Sequence, residues 1–486
     1  MRVVSVIRVW IEQNRLFSIA LAAGALLRLL AMVAYPGVLW FAGDSYVYVG
    51  AALRPRPDLS KTTGYSLFLR TLLPLHSFPV VSALQHLMGL AIAVVVYLLA
   101  RQAGVSQRWA TAAALPVLLD GFEIEDEHMV MAEALFTLLV VLALALILWQ
   151  VRVWWPAALL AGLLVGYAVT VRSEGLPVLV LFPLAVGLRD RRQWRQWAAA
   201  GAMAIGCVAP VAAYAAWFHE WNGSYNLTRS EGFYLWGRVS SFANCAVIKP
   251  PASELKVCPT GPPSKREPPG DYIWHAPQVR DIAGGAVSSA NNALLFDFSV
   301  RAVAAQPFEY MGSVLKGLWL SVRWPRETYP DPGTVSYYYF QVHPQSIPAN
   351  HTWIPGGTAY SDALAYGHAT PSRVIQPFAS LIALYERVVF TYGPLFGLIM
   401  IMGLGGVLRI RRRRLVWSRR AGSFLPWVTA VTLLVFPVAT ADFDYRYLLP
   451  VLPFAGLAAA LAFAPPRPAP APEEPEAVTI AEAVTS

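Results

Sequence analysis

Residues 120–149 read DGFEIEDEHMVMAEALFTLLVVLALALILW. Five acids and a histidine, Asp120, Glu123, Glu125, Asp126, Glu127 and His128, run straight into an apolar stretch, Met129 to Trp149, whose one charge is Glu133. A stretch of that length and character matches a hydrocarbon core, which takes about 20 helical residues to cross. Inside lipid the backbone must satisfy its own hydrogen bonds, so the stretch reads as a helix. The acids sit at its mouth, on one face of a membrane.

Outward from this stretch the pattern repeats. Leu16 to Tyr35, Val80 to Leu99, Trp154 to Val171, Trp197 to Trp217, Val388 to Leu408, Phe424 to Val438 and Tyr447 to Phe463 are comparable apolar runs, with Ala110 to Leu119 and Leu176 to Leu188 shorter. The 486 residues are 56% hydrophobic and only 14% charged, with mean hydropathy +0.47. The expected fold is therefore an all-α polytopic membrane protein of about ten transmembrane helices. Counting ten spans from a cytoplasmic N-terminus puts Arg101, Arg108, Arg152, the Arg189 to Arg195 group and the Arg409 to Arg420 group on the cytoplasmic side, as short basic loops prefer. The net charge of +9 is then a topology signal, and nucleic-acid binding is not expected. The first apolar run lacks a small-residue cleavage pattern and is expected to stay as a span. The location expected is the plasma membrane, with both termini cytoplasmic.

Four regions are expected: a transmembrane core over residues 1–217, a long extracytoplasmic region over 218–387, further transmembrane helices over 388–464, and a disordered tail rich in Pro, Ala and Glu over 465–486. Within the second region Val300 to Trp324 mixes apolar and charged residues as an interfacial helix does. Cys245 and Cys258 share this oxidising side and are expected to pair.

With this topology the ionisable residues at span ends fall on one surface: Asp44 after the first span, the Asp120 to His128 group with Glu133, Arg172 and Glu174 in TVRSEG, and Asp442, Asp444 and Arg446 in ADFDYRYLLP. Each alone reads equally well as a solvated or snorkelling charge. Together, acids beside cations at an apolar interface suit group transfer from an anionic lipid, with a carboxylate to take a hydroxyl proton and cations to hold a departing phosphate. A transporter of lipid-linked sugar, or a non-catalytic scaffold for envelope assembly, stand as alternatives. Transporter sites, however, lie near mid-membrane in broken helices.

The order of these features resembles the GT-C superfamily of membrane glycosyltransferases, in particular the branch of protein O-mannosyltransferases and lipid A aminoarabinose transferases. Asp44 in FAGDSYVY matches the acid of the family's first outside loop, with Ser45 where a Glu usually follows; Lys61 to Tyr65 (KTTGY) resembles the pattern after it; His128 and Glu133 in HMVMAEALF match the second acid motif in spacing; Arg172 and RYLLPVLP from Arg446 resemble its later arginines. The resemblance implies a polyprenyl-phosphate-linked sugar as donor, an extracytoplasmic glycan, lipid or protein as acceptor, and inversion at the anomeric carbon. It implies Asp44 as base, with Glu133 and Asp126 shaping the site's electrostatics. Lys61, Tyr65, His128, Arg172 and Arg446 would bind substrate. Some relatives hold a divalent metal ion, for which Asp44, Asp126 and His128 are the candidate ligands. Aromatics such as Tyr337 to Tyr339 and Trp353 would cover the site.

Overall fold

The computed structural model describes residues 9–150, 152–368, 373–412 and 422–465, and these are helical, with one parallel bridge between Leu39 and Met129. The tail from residue 466 and most of the last arginine run lie outside the described residues.

Every apolar run named above is a helix. The first ten helices are α1 (Arg15–Ala34), α2 (Ala42–Leu53), α3 (Gly64–Leu72), α4 (Phe78–Gln102), α5 (Gln107–Leu119), α6 (Gly121–His128), α7 (Glu133–Trp149), α8 (Trp155–Val171), α9 (Val178–Leu188) and α10 (Trp194–Asn222). Of these α1, α4 and α10 are long and apolar enough to cross a membrane on their own; α7, α8 and α9 are apolar but shorter. Large apolar side chains point outward along them, among them Leu26, Val180 and Ile205, each more than 60% exposed, as a lipid-facing surface requires. Where α8 meets α10 the contact is backbone to backbone. A Cβ on Gly162 or Gly166 would run into the carbonyls of Met203 and Cys207, so only small residues permit the approach.

The long segment after α10 carries α11 (Glu231–Ser240), α12 (Ser289–Ala305), α13 (Pro307–Leu320) and α14 (Ala359–Gly367). Trp236, Val239, Leu295 and Phe298 form a second apolar core there, closed at one edge by the Cys245–Cys258 disulfide. Trp236 donates its indole N–H to the carbonyl of Val257, next to Cys258 (2.9 Å). Replacing both cysteines by serine is expected to lower the stability of this unit by about 3 kcal/mol. Thermal unfolding followed with and without reductant checks this; equal midpoints for oxidised and reduced protein contradict it. The single interfacial helix expected over Val300 to Trp324 is instead two, because Pro307 cannot continue α12 and restarts the chain as the first residue of α13.

The last helices are α15 (Phe378–Val388), α16 (Gly393–Arg412), α17 (Phe424–Thr440) and α18 (Leu452–Leu461). Between α15 and α16 the axis bends by 55°.

Candidate active site

Five chain segments meet at one end of the bundle. Asp44 lies in the first turn of α2, where a carboxylate suits the helix N-terminus. Ser45, where the family pattern has an acid, is fully buried, and its Oγ accepts the backbone N–H of Phe41 (2.8 Å), closing the start of the helix. Lys61 is presented by a tight turn in which Asp58 accepts the N–H groups of Ser60 (2.8 Å) and Lys61 (3.1 Å). Gly64 then enters α3 pressed against the Thr170 backbone, where no Cβ fits. Glu133 opens α7, Arg172 closes α8, and Arg446 follows Asp444, whose Oδ1 accepts the Arg446 N–H (2.8 Å).

The side chains form an alternating chain of charge. Lys61 pairs with Asp44 Oδ1, and Arg446 Nη1 reaches Asp44 Oδ2 (3.1 Å) and Glu133 Oε1 (3.7 Å). Arg172 pairs with Glu133 and with Glu174 (3.0 Å), while Arg446 Nε holds Asp444 (3.1 Å). Arg446 also lies over the Phe41 ring at 4.2 Å. The two acids expected to share a site thus share a cation.

Asp126 is buried just behind them, with Oδ1 free of any hydrogen-bond partner among the described residues. Burial, then repulsion from Glu133, pushes its carboxyl well above the usual range, against the pull of Arg446 and Arg172. Asp44 goes the other way. Burial lifts it, but the attraction and hydrogen bonds of Lys61 and Arg446 outweigh that, and its pKa is lowered to about 2. Carboxyls that share a cation neighbour, here Arg446, and have pKa values driven apart are a frequent mark of acid–base sites.

Two residues expected to contact substrate make their hydrogen bonds inside the protein. Tyr65 is fully buried and donates its hydroxyl to Gln85, whose amide in turn donates to the carbonyls of Glu127 (2.8 Å) and Met129 (2.6 Å). His128 also points inward: Nε2 donates to the Tyr35 carbonyl (2.9 Å), and Nδ1 lies 2.9 Å from Nε2 of His86. The other nitrogen of His86 is 2.8 Å from Glu127, which Arg28 grips with two hydrogen bonds of 2.6 and 2.7 Å. Both side chains serve to fix α6, every residue of which is buried. Arg28 and His86 each sit inside an apolar run, where sequence pattern alone names no partner, although an arginine within such a run demands a buried one.

The donor set does not fit a divalent ion as arranged. Both Asp44 oxygens are taken by cationic side chains, His128 faces away, and among the described residues no three His, Cys, Asp or Glu side chains are placed so that they could hold an ion.

Three of the aromatic residues named above pack on elements that carry the charges. Tyr338 donates to Asp444 (2.7 Å), Tyr337 packs on Phe41, and Trp353 on Tyr46 of α2. Asp442 ties down the same layer, accepting the Tyr329 hydroxyl (2.6 Å) and the Gly270 N–H (2.7 Å). Burial raises its pKa from 3.8 to about 6, although Arg238 and those donors oppose it. A carboxyl whose folded pKa lies above its unfolded one favours the fold most below pH 4, and that advantage is lost as pH rises through 6. Acidifying from pH 7 to 4 should therefore stabilise the protein through this group by up to about 3 kcal/mol. Melting of wild type and Asp442→Asn at both pH values checks it; a gap independent of pH contradicts it.

Residues 77–220 match the family described as dolichyl-phosphate-mannose-protein mannosyltransferase. The matched segment holds Asp126, Glu133 and Arg172 but neither Asp44 nor Arg446. Among solved structures the chain is similar to the apo oligosaccharyltransferase of Archaeoglobus fulgidus, at 12% identity over 92% of this chain and 50% of that one, with a TM-score of 0.42. It is likewise similar to the oligosaccharyltransferase AglB of the same organism in complex with an inhibitory peptide and a dolichol-phosphate, at 12% identity over 93% and 50%, with a TM-score of 0.40. The chain spans about half the length of these structures. No curated protein matches it. Over residues 77–220 the family match agrees with the resemblance carried by the sequence motifs.

Proposed function

From the likeness of residues 77–220 to the protein mannosyltransferases, we propose that this chain is a membrane glycosyltransferase that moves a sugar from a polyprenyl-phosphate carrier to an extracytoplasmic acceptor. One observation carries the reading: Arg446 joins Asp44 to Glu133, flanked by Lys61 and Arg172, at the helix ends. Placement at helix ends favours transfer over transport. The cytoplasmic termini, ten spans and four regions read from the sequence belong to this proposal.

The chemistry follows from the charges. The acceptor oxygen attacks the anomeric carbon, the bond from that carbon to the phosphate oxygen breaks, and the phosphate leaves with the electron pair. Asp44 takes the acceptor's proton. Held between two cations, Asp44 is a poor base, so the donor has a second task. When its phosphate draws Lys61 and Arg446 toward itself, Asp44 loses the attraction that lowers its pKa and becomes basic where the hydroxyl arrives. Arg172 pairs with Glu133 beside Asp126, whose carboxyl is pushed well above the usual range, and these groups set the field on the leaving phosphate.

The test is incubation of the purified protein with polyprenyl-phosphate sugars and acceptor-bearing envelope extract. Release of polyprenyl phosphate, with appearance of the sugar in an extracted product of inverted anomeric configuration, is the expected result. Carrier lipid crossing the bilayer with its sugar intact would reveal a transporter.

A further inference from the structure

Arg326 lies in the loop that leads out of α13, on the same end of the bundle as the charged chain. Its guanidinium stands over three rings: Phe390 at 4.6 Å, Tyr445 at 4.7 Å and Phe122 at 5.6 Å. The rings fix the plane of the group and offer its N–H edges nothing. Arg326 makes no hydrogen bond or ion pair among the described residues, and it is only half-buried. Its neighbour Arg323 is different, being paired with Glu327. The acid behind it, buried Glu386, accepts the Phe340 N–H on Oε2 (2.7 Å) and feels the charge of Arg326, but the two form no ion pair among the described residues. A rigid cation with open in-plane donors suits a phosphate, which guanidinium meets in a two-pronged fashion.

The surroundings say where that phosphate comes from. On α13 Phe308, Met311, Leu315 and Trp319 are each more than half exposed, at spacings that set them on one helix face. The stripe runs on to Trp324, which packs on Phe390 and Tyr392 at the entrance to α16, itself outwardly apolar at Leu398 and Ile401. A helix with one bare apolar face, continuous with a membrane-facing helix and ending in tryptophan and arginine, is built for the headgroup level of a bilayer.

We propose that Arg326 is a binding site for the phosphate of a membrane lipid headgroup, separate from Lys61, Arg172 and Arg446. The loop is tied to the charged chain, because the Tyr445 hydroxyl accepts the Glu327 N–H (3.2 Å) and donates to the Glu327 carbonyl (3.1 Å), one residue from Arg446. A lipid held there borders the entrance to the site. The site holds lipid whether or not the chain transfers sugar.

The probe is phosphatidylglycerol titrated into the full-length protein in detergent, with bound lipid counted by native mass spectrometry. Arg326→Gln should weaken the tightest binding about tenfold, as loss of a charge-assisted pair does. Arg326→Lys should weaken it less, and Arg323→Gln should leave it unchanged. Millimolar inorganic phosphate should not displace the lipid. Equal binding by wild type and Arg326→Gln overturns the proposal, and so does displacement by inorganic phosphate, which would mark a site for soluble anions. Should Arg326→Gln fail to fold, a photoreactive p-benzoylphenylalanine in place of Trp324 gives the same decision: it captures phosphatidylglycerol or the proposal falls.

Discussion

Asp44→Asn is expected to abolish sugar transfer in a protein that still folds and inserts. The amide keeps the size of the carboxyl but has no lone pair basic enough to take the hydroxyl proton, and a positioned base contributes about 10²- to 10⁴-fold to such a step. The change also frees Lys61 and Arg446, the two cations that hold Asp44 at a pKa of about 2. They remain beside solvent, at 17% and 12% side-chain exposure, so the folded state tolerates their release. Freed cations bind the donor phosphate better. The variant should therefore lose kcat while its KM for the donor stays level or falls, the signature of an interaction made in the transition state alone. Asp44→Glu should regain part of the rate. Steady-state kinetics on the three proteins decide the matter, and transfer by Asp44→Asn within tenfold of wild type would remove the base from the proposal.

What the sequence made legible was governed by one-dimensional pattern. The apolar runs all became helices because a run of that composition has few other ways to satisfy its backbone in lipid. The ends of those helices carried the acids and arginines together, since sidedness follows from counting spans. Less accessible was the direction in which a side chain points once an element is enclosed on all sides. His128 and Tyr65 stood at the right places in the motif, yet α6 is buried along its whole length, and its partners Arg28, His86 and Gln85 come from helices distant in sequence. Nor did the sequence reveal that Ser45 replaces an acid with a backbone contact, because that depends on Phe41 folding back over the helix start. Arg326 looked like any loop arginine until three rings from separate elements closed on it.

The same enclosed helix yields the largest expected effect on stability. Arg28, 2% exposed, gives Glu127 two hydrogen bonds and the carbonyls of Gly24 (3.1 Å), Leu118 (2.9 Å) and Val117 (2.9 Å) the rest. Two of those carbonyls belong to the last turn of α5, whose helix has no further N–H to offer them, so one guanidinium both closes α5 and holds α6. Arg28→Met leaves Glu127 as a buried charge facing only His86, and removing one member of such a pair costs about 3–5 kcal/mol. Adding Glu127→Gln to that variant removes the stranded charge and should recover part of the loss, because a buried ion pair replaced at both ends is often close to neutral. The recovery should be incomplete, since the α5 carbonyls still lack their donor. Unfolding of wild type, Arg28→Met, Glu127→Gln and the double variant in one detergent gives the coupling energy directly. If Arg28→Met alone matched the wild type, α6 would not depend on this ion pair, and the position of Asp126 behind the charged chain would need another cause.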